Sequence, residues 1–139
     1  MSAAAQADLD FLLDSALAVA QRHLERASEF LPFAIFTSTN GTLILVEFDR
    51  ESKGKAPDVD AVLSNLLTQL RTVEAGARCT AVVLNSRLDK DRADAIEVRL
   101  EHRDGGSLVV LLPYKRPLFG GKTEFGKLHG YAGTRLVWT

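Results

Sequence analysis

Residues 95–103 alternate apolar and polar side chains: Ile96, Val98, Leu100 and then His102 fall on one side, and Glu97, Arg99, Glu101 and Arg103 on the other. A period of two over this length means a strand with one buried and one polar face. Asp104-Gly105-Gly106 turns the chain, and residues 107–112 return as an almost wholly apolar run. Two strands joined by so tight a turn must be antiparallel. The rest of the chain has to fold around that hairpin.

A second hairpin is expected over residues 33–39 and 42–48, because Asn40-Gly41 tolerates the positive φ of a type I′ turn. A two-residue turn pairs Thr39 with Thr42 and puts Phe33, Ile35, Ile44, Val46 and Phe48 on one face. Residues 79–86 read as a further strand, buried on both sides.

Two amphipathic helices accompany these strands. Over residues 7–29, Leu9, Leu13, Ala16, Leu17, Ala20, Leu24 and Ala27 form one stripe, with Asp8 and Asp10 in the first turn and Pro32 as the stop. After Pro57, expected in the first helical turn, Val59, Val62, Leu63, Leu66, Leu67, Leu70 and Val73 recur at helical spacing, and Gly76 is the stop. Residues 1–6 are expected to fray. Polar stretches at 49–56 and 87–93 read as loops. Residues 113–133 hold five of the ten glycines and read as a long loop. Residues 135–139 read as a last strand.

The order is helix, strand, strand, helix, then three or four strands. It predicts an α+β domain over residues 1–139, an antiparallel sheet of five or six strands with two long helices. Profilin-like and roadblock-like domains have a similar layout, although the roadblock type ends in a third helix that this chain lacks. At 139 residues, about two thirds of the chain's surface can be buried, enough for a core without metals or disulfides.

Composition narrows the function classes. With 46% hydrophobic and 25% charged residues the chain is neither disordered nor collagen-like. No apolar run approaches the ~18 residues of a membrane span. The first ten residues contain no base, unlike a secretory signal. Together with the single cysteine, Cys79, this sets the expectation of a reduced, cytoplasmic setting. The net charge of −1 speaks against nucleic acid, although residues 101–139 carry six bases against three acids.

Few motifs suggest catalysis. Gly121-Lys122-Thr123 lacks the earlier glycine of a phosphate loop, since Arg116 stands in its place. Ser52-Lys53-Gly54-Lys55 lies in a polar loop. The three histidines, His23, His102 and His129, are not spaced as metal ligands. Asp89, Asp91 and Asp94 are interleaved with Lys90 and Arg92 and read as a solvated loop. Cys79, in an apolar strand, reads as a core thiol. No catalytic residue, metal or cofactor is assigned.

The segment from Asp94 to Gly106, running on to Leu112-Pro113-Tyr114-Lys115-Arg116, resembles a group of small uncharacterised bacterial proteins. Residues 30–36 and the Asn40-Gly41 turn fit the same pattern. The resemblance implies a bacterial cytosolic α+β domain and carries over no functional residue.

The leading expectation is a non-catalytic protein-interaction domain of adaptor or immunity type. Its contact surface is the charged strand face of Glu97, Arg99, Glu101 and Arg103, met by a protein partner or by a second copy. The alternative is a small anionic-ligand binder or enzyme built on residues 114–133, using Arg116, Lys122, Lys127, His129 and Tyr131.

Overall fold

The computed structural model describes residues 1–48, 57–88, 93–117 and 120–139. The expected loop at 49–56 and the Asp89 and Asp91 positions lie outside them. The architecture is α+β. Among the described residues, a seven-stranded antiparallel sheet carries one helix on each face.

Helix α1 spans Ala3–Arg26. It starts about one turn before the apolar stripe, because the Ser2 hydroxyl caps it by accepting from the Ala5 N–H at 3.1 Å. Ala5 is buried, so residues 3–6 are helix where fraying is expected. Asp8 consequently lies in the second turn and not the first. Helix α2 spans Val59–Val73, with Asp58 as its cap and Pro57 one residue outside. A 3-10 turn, Glu74–Gly76, closes it.

The strands are β1 (Phe33–Ser38), β2 (Leu43–Val46), β3 (Ala77–Leu88), β4 (Ala93–His102), β5 (Ser107–Lys115), β6 (Glu124–Phe125) and β7 (His129–Ala132). Their order is β2-β1-β3-β4-β5-β6, with β7 also paired to β5. The chain passes through α2 between β2 and β3, which both flank β1.

Period-two alternation sorts side chains between the two faces. Helix α1 packs Leu9, Leu12, Ala16, Leu17, Ala20 and Leu24 on Phe33, Ile35, Ala81, Val83, Ile96, Val98, Leu100, Val110 and Leu112. Helix α2 packs Val62, Leu66 and Leu70 on Ala34, Phe36 and Ala77.

The first hairpin departs from the expected register. Ser38 pairs with Thr42 (N–H to carbonyl, 2.8 Å), and the Gly41 N–H donates to the Ser38 carbonyl at 2.9 Å. The loop therefore has three residues, with Gly41 alone at positive φ (+89°), the pattern of a type I turn with a glycine bulge. One extra loop residue slips the register by one and exchanges the faces. Phe36 now sits opposite Ile44, and Ala34 opposite Val46. Phe33 and Ile35 lie under α1, whereas Val46 and Phe48 join the α2 core.

Two C-terminal expectations are also revised. Strand β5 runs through Pro113, whose carbonyl accepts from the Gly126 N–H at 2.8 Å. In an antiparallel ladder a residue's N–H points the same way as its carbonyl, so the missing donor faces the outer, irregular side. Residues 113–133 are thus not one long loop: β6 and β7 fold back along β5. Residues 135–139 form no strand and instead run as a tail that buries Val137 in the α2 core.

Leu66→Asp places a charge where exposure is 0%. The expected outcome is loss of cooperative thermal melting, since an unpaired buried charge costs several kcal/mol. A variant that melts as the parent does contradicts the assignment of this helix face.

Candidate functional site

The sheet register brings together residues that are far apart in sequence. On the α2 side, Val82, Arg99, Val109 and Tyr131 form one cross-strand row. Leu84, Glu97, Leu111 and His129 form the next, and Thr80, Glu101 and Ser107 a third. Glu97, Arg99 and Glu101, expected as a partner surface, thus share a face with His129 and Tyr131, expected as ligand residues.

This face is only half covered, because α2 packs over β1 and β3. Its stripe is wider than that contact, so Leu63 and Leu67 are left half-buried on the flank. They line one bank of a cleft of about 640 Å³, with Val82, Glu97, Arg99 and Val109 among its other lining residues. The opposite bank is Tyr131, Gly133, Thr134 and Leu136.

The tail forming that bank is held by side chains that bond its backbone. Both Glu101 side-chain oxygens accept from the Val137 N–H, at 3.1 and 3.0 Å, and one also accepts from the Trp138 N–H at 3.3 Å. Arg135 donates to the carbonyls of His102 (2.8 Å), Gly106 (3.1 Å) and Trp138 (2.9 Å). Arg71 on α2 donates to the Leu136 carbonyl at 2.9 Å. Glu101 is therefore a buried anchor and not an open surface charge. Arg103 is exposed beyond the end of β4, outside the cleft.

In the cleft, Arg99 Nε donates to Glu97 Oε2 at 2.7 Å, with the two side chains 43% and 12% exposed. The ion pair orients the guanidinium. The groove thus offers apolar banks and a paired charge between them, with Tyr131 51% exposed at the margin.

The other candidate residues are dispersed. Arg116 donates to the carbonyls of Leu24 and Ala27 and so caps the C-terminus of α1. It borders a second cleft, of about 590 Å³, with Lys122, Gly120 and Gly121. Lys127 is exposed between β6 and β7 and lines neither cleft. The structure does not gather Arg116, Lys122, Lys127, His129 and Tyr131 into one site.

A polar cluster missing from the sequence expectations lies on the α1 side. The Asp104 N–H donates to His102 Nδ1 at 3.1 Å, which leaves the proton of the neutral ring on Nε2, facing Asp8 Oδ2 at 2.9 Å. Arg78 reaches Asp8 at 3.5 Å and donates to the Thr39 carbonyl at 2.7 Å. Cys79, opposite His102 in the ladder, contacts the Thr37 hydroxyl at 3.2 Å. Cysteine, histidine and aspartate are the residue types of a thiol hydrolase. Here both ring nitrogens are engaged elsewhere, and the thiol is fully buried. The cluster ties α1 to the sheet. Two positions hint at it in the sequence: Asp8, polar beside an apolar stripe, and His102, which continues the inward side of β4.

Among the described residues no three His, Cys, Asp or Glu side chains gather as a metal site, and no helix is long and apolar enough to cross a membrane. The chain matches no protein-family model, no curated protein and no solved structure.

Burial pushes the Cys79 thiol above its ordinary range, against the opposing bond from Thr37. Burial likewise raises the Tyr114 phenol, against the bond from Asn85. For both groups the unfolded chain loses its proton first as pH rises. The thiol's stabilising contribution is complete below its ordinary value of about 8.5 and falls above it, whereas the phenol's falls only above about 10. The melting temperature should drop from about pH 8 to about pH 10, and less steeply in Cys79→Ala. An equal slope in the two proteins contradicts a buried, protonated thiol.

Proposed function

We propose that this chain is a non-catalytic protein-interaction domain, of the adaptor or immunity type expected for a bacterial cytoplasmic protein. The cleft between α2 and the tail is its contact surface. The observation that carries the reading is the half-covered sheet face, where apolar banks flank the Glu97–Arg99 pair. Contact surfaces combine apolar area with a few oriented charges that select the partner. A protein segment crossing the cleft would cover Leu63, Leu67 and Val109 and meet Arg99. A second copy is the other candidate occupant.

The test is affinity capture from a bacterial lysate with three baits: the parent, Arg99→Glu, and the double variant Lys122→Ala with Lys127→Ala. The expected result is a bound protein retained by the parent and the lysine variant, and held at least about tenfold more weakly by Arg99→Glu, a loss of about 1.4 kcal/mol. Equal retention by all three contradicts the proposed surface.

A small anionic ligand in the second cleft is the runner-up. Lys122 and the positive-φ Gly120 and Gly121 favour it. It ranks lower because Arg116 is already bonded to α1. A thermal shift with phosphate or nucleotides that disappears in the lysine variant would raise this reading above the first.

A further inference from the structure

We propose that Arg71 and Glu101 clamp a single peptide group, that residues 134–139 fill the clamp as a built-in occupant, and that an apolar segment of a partner protein takes their place. The inference rests on the proposed contact surface and names what is recognised there.

The Leu136 carbonyl and the Val137 N–H belong to one peptide group. Arg71 Nε donates to that carbonyl at 2.9 Å, and both Glu101 oxygens accept from that N–H, at 3.1 and 3.0 Å. The two polar ends of a trans peptide group point in opposite directions. One side chain therefore reaches it from α2 and the other from β4. These contacts bind backbone, whatever the side chains. Selectivity comes from the next position, where Val137, 3% exposed, joins the cluster of Phe36, Leu66 and Leu70.

The present occupant is lightly held. The last ladder bond before it runs from the Gly133 N–H to the Ser107 carbonyl. Residues 134–139 have no regular structure, and Val137 is their one buried side chain. Val62, Leu66 and Leu70 also pack on Ala34, Phe36 and Ala77, so the socket keeps its walls when Val137 leaves.

Glu101 decides what can replace the tail. Its side chain is buried and forms no ion pair among the described residues. Its charge is met by the N–H groups of Val137 and Trp138. A buried carboxylate stripped of its donors is costly, so an empty clamp is unfavourable. The replacement must bring N–H groups and an apolar side chain, which a peptide does and an anion does not. The tail supplies the pattern: arginine, a spacer, a branched apolar residue, then an aromatic one. Glu101 also lines the cleft beside Arg99, so a segment crossing the cleft arrives at the clamp.

Two measurements on the full chain test this. In Val137→Cys, the new thiol should react under native conditions about 100-fold faster than Cys79, because the tail opens locally while α1 stays closed. Equal rates would mean that the tail leaves only on global unfolding, and would overturn the proposal. In Val137→Asp the tail cannot seat, and the clamp is free for a labelled peptide with the sequence of residues 133–139. Fluorescence anisotropy should show saturable binding to this variant. The same peptide, N-methylated at its valine, should bind at least about tenfold more weakly, since only the N–H that meets Glu101 is lost. No binding, or equal binding of both peptides, would overturn the clamp. So would a Val137→Asp chain without a cooperative melt, because the tail would then be part of the core. Lysate capture that depends on Arg99, with no peptide binding, overturns the clamp and leaves the cleft reading standing. Peptide binding with capture indifferent to Arg99→Glu does the reverse.

Discussion

The contact between α1 and the sheet organises this molecule. A single helix face, Leu9, Leu12, Ala16, Leu17, Ala20 and Leu24, meets apolar side chains from four strands. Each large side chain removed from water there contributes about 1.5–3 kcal/mol. The Asp8–His102–Arg78 cluster fastens the first turns of the helix to the sheet end. With this side closed by α1, the other side is left to α2 and the tail. Helix α2 has 15 residues against the 24 of α1, and its buried side chains are only Val62, Leu66 and Leu70. Helix α2 lies on the β1 and β3 side, which leaves β4, β5 and β7 open beside it.

The tail gives that open face its second bank. No ladder holds it. Glu101 receives its backbone N–H groups, and Arg135 and Arg71 grip its carbonyls. Such a bank is held at a few points by matched hydrogen-bonding groups, of which Glu101 is buried, so it is defined without being part of the sheet. The cleft is thus a consequence of how far one helix reaches and where one carboxyl group points.

Much of this was legible from side-chain periodicity. The alternation from Ile96 to Arg103 identifies β4 and its faces, and the α2 stripe identifies its core residues. The fold class follows from the order of these elements. Three features escaped because backbone and polar groups decide them. The Asn40-Gly41 pair is compatible with loops of two or three residues, and the choice, made by the Ser38–Thr42 pair, reverses the faces of β2. The glycine-rich segment has no apolar period, yet its backbone groups complete β5. Leu136 and Trp138 alternate like a strand, but Glu101 and Arg135 capture that segment first. For the site, the charged residues of β4 were visible individually. Their meeting with His129 and Tyr131 depends on a register that no local pattern contains.

The central claim is that the two sides of the sheet differ, one sealed by α1 and the other open at the cleft. Thiol labelling of Val98→Cys and Arg99→Cys tests it most directly, with the native Cys79 as a buried reference. Adjacent residues on β4 then probe opposite faces. The account predicts rapid modification at position 99, and slow modification at position 98 and at Cys79 until the protein unfolds. Equal protection at both positions, or faster reaction at 98, would contradict it.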